Sequence, residues 1–158
     1  MIFTKARSYD EILGQLDKND VITIISCSSC ARTSGTGGED PMRNLAIKLR
    51  EDGFNVHDGY VINTVCTPKV FQAKIDRKVN TLISMACSAG TSNMIRIFSD
   101  YKVVETTNDV GLMTADNKEG TVKVEMPYES CKDTKGKKFE MFSGKSINNV
   151  QTNAEVIK

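Results

Sequence analysis

Residues Val21 to Met42 read VITIISCSSCARTSGTGGEDPM. The run opens on five consecutive apolar or β-branched positions, Val21–Ile25. An uninterrupted run of that kind suits a strand buried on both faces of a parallel sheet. Two cysteines, three glycines and several hydroxyl residues follow, and then Asp40-Pro41, which reads as the cap and first residue of a helix. Strand, loop and helix in that order make half of a βαβ unit. Its loop lies at the C-terminal edge of the sheet, where ligands of open α/β sheets bind.

The flanking sequence repeats the pattern. Upstream, Ser8-Tyr9-Asp10-Glu11 is a capping box ahead of Ile12, Leu13 and Leu16, which predicts a short amphipathic helix reaching to Lys18. Downstream, Met42, Leu45, Ala46 and Leu49 form a helical stripe, and Gly53 stands where that helix stops. Asn55–Val65 reads as extended. Thr67-Pro68 opens a third helix with Val70, Phe71 and Ile75 toward the sheet. Asn80–Ala86 is a third strand, SAGTSN leads from Cys87 into a helix faced by Met94, Ile95, Ile97 and Phe98, and Lys102–Thr106 is a fourth strand. The alternation predicts an α/β fold: a doubly wound, mostly parallel Rossmann- or flavodoxin-like sheet with cysteines at the strand C-terminal ends.

After Thr107 the character changes. GLMTADNKEGTVKVEMPYESC holds a turn signal between two short apolar stretches, as a hairpin or edge extension does. From Lys132 the chain is polar. The organisation expected is an α/β metal-binding domain over 1–131 and a polar C-terminal extension over 132–158, in which Phe139, Met141 and Phe142 dock and the remainder is a loose tail.

Composition narrows the function. The 158 residues fit one core, and a net charge of +1 gives no basic surface for nucleic acid. No apolar run approaches the ~20 residues of a membrane helix, so no membrane insertion is expected. The first residues, MIFTKARSYDEIL, lack an apolar core and a small-residue cleavage site, which makes the cytoplasm the expected location. There, five cysteines serve as thiols, metal ligands or redox groups rather than structural disulfides.

Their positions are informative. Cys27, Cys66 and Cys87 follow the first, second and third strands, and Cys30 lies one loop turn past Cys27. A parallel sheet gathers strand ends spaced ~4.8 Å apart, within reach of a common atom ~2.3 Å from each sulfur. Cys131 ends the last extended stretch and closes the same site from a lid side. His57, the only histidine, falls near the start of its strand, at the wrong end of the sheet. The candidate metal ligands are therefore Cys27, Cys30, Cys66, Cys87 and Cys131. An all-thiolate set favours zinc or a [4Fe–4S] cluster.

Two other readings stay open. Cys27 and Cys30 form a thioredoxin-type pair in spacing, which would make the chain a thiol–disulfide oxidoreductase, although the helix signal comes ten residues after Cys30. GTGGED resembles a phosphate cradle of a flavodoxin-like binding module, but it lacks G-x-G-x-x-G spacing, and Glu39 and Asp40 would repel an anion. No histidine stands near a cysteine and no carboxylates pair, so no catalytic residue is assigned.

Taken together, CSSCARTSGTGGED, Cys66, ISMACSAGTSN and KVVETTNDVGLM resemble the methylenetetrahydrofolate reductase C-terminal domain family, over roughly Ile2 to Cys131. The matching motifs are Cys27-Cys30-Ala31, Thr36-Gly37-Gly38-Glu39, Cys66, and Cys87-Ala89-Gly90. Ser34 stands where many members carry a further cysteine. The resemblance implies a small accessory subunit holding zinc or iron–sulfur and paired with a flavin-containing catalytic subunit. Its roles would be to scaffold that subunit or to pass electrons to it.

Overall fold

The computed structural model describes residues 1–147. Strand β1 (Ile2–Ala6) leads to helix α1 (Tyr9–Leu13), where the Ser8 hydroxyl accepts from the Glu11 N–H. The capping box is thus realised, on a helix shorter than expected. Strand β2 (Val21–Cys27) follows, then a single helical turn α2 (Cys30–Thr33) and helix α3 (Glu39–Glu51). Strand β3 (Asn55–Ile62), a 3₁₀ turn (Pro68–Gln72), β4 (Thr81–Met85), α4 (Ser88–Ile97) and β5 (Lys102–Glu105) complete the first half. Then come β6 (Thr107–Asp116), β7 (Thr121–Pro127), a second 3₁₀ segment (Glu129–Thr134) and β8 (Lys138–Glu140).

These strands build two sheets, which overturns the expectation of a single doubly wound, mostly parallel sheet. One has the order β3-β2-β4-β5 and is parallel throughout; the other has the order β1-β6-β7-β8 and is antiparallel. The physical reason lies in β1. Its residues pair with β6, about a hundred positions away, as in Thr4 opposite Asp109. Phe3 then stacks on Phe139 with ring centroids 4.4 Å apart, over Val110, Met113, Val122 and Val124. The expected hairpin is β6–β7, but it belongs to a sheet with its own core. Residues 132–147 include β8, which pairs with β7. Of the expected loose tail, residues 148–158 lie outside the described residues.

The parallel sheet is covered unevenly. Ile22, Ile24, Val56, Ile83 and Val104 pack with α1 and α3 residues such as Ile12 and Leu49. On the opposite face Ile25, Ile62, Val65, Val70, Leu82 and Met94 pack together. Only α4 is a full helix on that face. The Thr67 hydroxyl does cap the Pro68 turn, accepting from the Lys69 N–H, but the turn is 3₁₀ and ends after five residues. Val70 is buried while Phe71 is 56% exposed, contrary to the stripe read for it.

A seam of hydroxyls joins the sheets. Thr106 Oγ1 donates to Ser84 O at 2.7 Å, Thr107 Oγ1 to Ala86 O at 2.6 Å, and Thr4 Oγ1 meets Thr36 Oγ1 at 2.7 Å. These bonds satisfy backbone and side-chain groups that the junction buries, where an unpaired polar atom would cost ~1–3 kcal/mol.

Candidate metal-binding site

Register brings the strand ends together. Ser26 pairs with Met85 and Cys27 with Ile62, so β2, β3 and β4 finish side by side. Cys27 is the last residue of β2 and is 6% exposed. Cys30 is half-buried and begins α2. The helix signal at Asp40-Pro41 belongs to α3, which in fact starts two residues earlier with Gly38 as its cap.

Cys87 is the N-cap of α4 and is 7% exposed. Burial raises its thiol above the usual value, the backbone N–H groups of Gly90 and Ala89 at the start of α4 act against the rise, and the nearby Asp109 and Cys30 add to it. Asp109 reaches the same corner from β6, where it accepts from the Ser88 N–H at 3.0 Å and from the Ser88 hydroxyl. Tyr128 completes the wall; burial raises its hydroxyl, and Asp109 and Cys87 raise it further. The antiparallel sheet therefore borders the thiols, although it was read only as an extension. Asp109 and Tyr128 escaped the sequence reading because nothing local ties β6 to the end of β4.

Two glycines let the thiol-bearing loops close in. A Cβ on Gly37 would lie 2.7 Å from the Cys27 carbonyl oxygen and 3.0 Å from that of Met85. The GTGG segment thus seals the ends of β2 and β4, as a close-packed turn does. A Cβ on Gly90 would meet Ala86 Cβ at 2.8 Å and Val65 at 3.4 Å, so the Cys66 loop rests directly on α4.

Cys66 itself is exposed, in the turn after β3. Cys131 sits in the 3₁₀ segment after Tyr128 and packs against the core of the antiparallel sheet. Among the five thiols, Cys30 lies near Cys87, Cys27 ends the adjoining strand, and Cys66 is exposed on the loop whose Val65 packs on α4. Among the described residues, no three His, Cys, Asp or Glu side chains stand close enough together to hold a metal ion. His57 pairs with Asp76 at 3.4 Å on β3.

Ser34 has a different task from the one its motif position suggests. It is buried; its hydroxyl accepts from the Thr4 N–H at 3.2 Å and donates to Cys30 O at 2.9 Å. It ties α2 to β1 and so holds the turn that begins with Cys30.

Fold and site define a two-sheet α/β protein with a thiol-bearing edge on its parallel sheet. No protein-family model, no curated protein and no solved structure matches the chain. No helix among the described residues is long and apolar enough to cross a membrane.

Proposed function

We propose that the chain is a thiolate metal-binding accessory subunit of a methylenetetrahydrofolate reductase-type complex, working beside a flavin-containing catalytic subunit. The observation that supports the metal reading is that Cys27 ends β2 and Cys87 follows β4 at the same edge of the parallel sheet, with Cys30 near Cys87. The donor chemistry suits zinc or [4Fe–4S] and not magnesium or calcium, because every candidate ligand is sulfur, but the thiols would have to draw closer than they stand to share one ion. Cys30 and Cys87 would hold the first two positions, with Cys27 and Cys66 turning inward to complete the set and Cys131 the remaining candidate. When bound, zinc would cross-link the strand ends, whereas a cluster would relay single electrons. The chain's own electrostatics oppose the thiolate at Cys87: burial raises the thiol, and the Gly90 and Ala89 N–H groups offset only part of that rise. The accessory role beside a flavin subunit rests on the motif resemblance.

Protein purified anaerobically is expected to carry near-stoichiometric zinc, or iron with a visible absorption band. Finding neither metal, with all five cysteines alkylating freely, would overturn the reading. A metal-free protein with a measurable dithiol couple lost in Cys30→Ser would point instead to a thiol–disulfide oxidoreductase.

A further inference from the structure

The outer strands of the two sheets are β3 and β5 in one, β1 and β8 in the other. Three of them are covered. The Gln15 side-chain amide exchanges hydrogen bonds with the Glu105 backbone on β5. The Ser34 hydroxyl accepts the Thr4 N–H of β1. Beyond β8, Lys145 O accepts from the Glu140 N–H, and Lys138 O from the Ile147 N–H. Covering of this kind matters because a bare edge is a template for another strand.

Strand β3 is guarded only at its start. Arg50 donates through Nε and Nη2 to Val56 O, and His57 is an extra residue between the Val56 and Asp58 pairings with β2. Further along the guard stops. Ile62 O accepts from the Ser28 N–H and so faces β2. Alternation along the strand then points the N–H and C=O groups of Gly59 and Val61 away from β2. Both residues are exposed, and among the described residues nothing bonds these outward groups.

We propose that β3 pairs antiparallel with β3 of a second copy about a two-fold axis at Tyr60, joining two parallel sheets into one. In that register Gly59 of each copy faces Val61 of the other, and each such pair exchanges two hydrogen bonds. Tyr60 meets Tyr60, and Asp58 stands opposite Ile62, so no like charges oppose one another. The border of the edge is self-complementary too. Glu39, Met42 and Arg43 of α3 line a groove beside Gly59. Met42 lies directly over Gly59, where a Cβ would come within 2.9 Å of its sulfur. Glu39 and Arg43 thus flank the axis with opposite charge, and the two-fold turns each Glu39 toward the other copy's Arg43. No cysteine takes part, so the inference is independent of the metal reading.

The test uses the full chain, by sedimentation velocity over a concentration series and by amide hydrogen exchange. The wild type is expected to pass from monomer to dimer, with the Gly59 and Val61 amides exchanging several-fold more slowly where the dimer predominates. Val61→Pro removes an N–H that the β2 ladder does not use. It is expected to weaken the dimer ~10-fold or more, since both symmetry-related bonds are lost. Arg43→Glu is expected to weaken it by setting like charges together, and the swap Glu39→Arg with Arg43→Glu to restore it, with circular dichroism checking that each variant is folded. A dimer that folded variants leave unmoved sits on another surface and overturns the proposal. A wild type that stays monomeric, with exchange at Gly59 and Val61 independent of concentration, overturns it as well, and leaves the edge to an extended segment of a different protein.

Discussion

A methyl group on Gly37 would lie 2.7 Å from the Ala31 Cβ as well as from the Cys27 carbonyl oxygen. Backbone oxygens at the ends of packed strands cannot step aside. Gly37→Ala is therefore expected to destabilise the fold by ~1–3 kcal/mol, read as a lower urea midpoint. Ser34 offers a sharper contrast between motif and structure. Its place in the CSSCARTS stretch suggests a missing thiol, yet its hydroxyl is committed to Thr4 and Cys30 across the sheet junction. Ser34→Cys is expected to leave metal content unchanged, as measured by elemental analysis, and to lower stability by weakening the bond to the buried Thr4 N–H. Cysteines at strand ends were legible because position in a βαβ pattern specifies the sheet edge. Asp109 was not, because its bond to Ser88 comes from a strand of the other sheet.

At the scale of elements, β5 illustrates how an edge is closed without another strand. The Gln15 amide accepts from Glu105 N–H at 3.0 Å and donates to Glu105 O at 2.8 Å, imitating a neighbouring backbone. Arg7 adds a bond to Glu105 Oε2 at 2.9 Å. An open edge invites pairing with another chain. Gln15→Ala is expected to cost ~1 kcal/mol and to increase self-association, visible by light scattering at rising concentration. The parallel strands β2, β4 and β5 were readable from their apolar, β-branched runs and the caps between them. Strand β1 was not: IFTKA is short, and what makes it a strand is β6, far along the chain. The helix read after Thr67-Pro68 failed for a related reason. A correct cap starts a turn, but only Val70 of the turn's apolar residues finds a core to bury in, so nothing sustains a longer helix.

At the scale of the whole molecule, one buried carboxylate, Asp20, contributes to acid stability. Burial tends to raise the Asp20 carboxyl, but hydrogen bonds from Lys102, at 2.5 Å, and from the Asp17 N–H hold it below the usual value. Because the folded value lies below the unfolded one, the stabilisation is present above about pH 4 and is lost as pH falls through the folded value. Lys102→Met removes the main opposing influence, so its acid unfolding midpoint, followed by circular dichroism, is expected to move to higher pH. The pair joins the loop before β2 to the start of β5, which the alternating pattern alone did not disclose.

The turn that begins with Cys30 is held from the two ends of the described chain. Thr4 on β1 binds Ser34, and after β8 the Phe142 N–H donates to Thr33 O at 2.9 Å while Arg32 stacks on the Phe142 ring at 4.5 Å. During synthesis the first of these supports emerges early but has no partner strand until β6 is made, and the second comes more than a hundred residues after Cys30 itself. The thiols thus leave the ribosome well before their surroundings exist. On the proposed metal-binding reading, loading would accordingly be a late event, after synthesis has passed Phe142, and the young cysteines would depend on reducing surroundings until then.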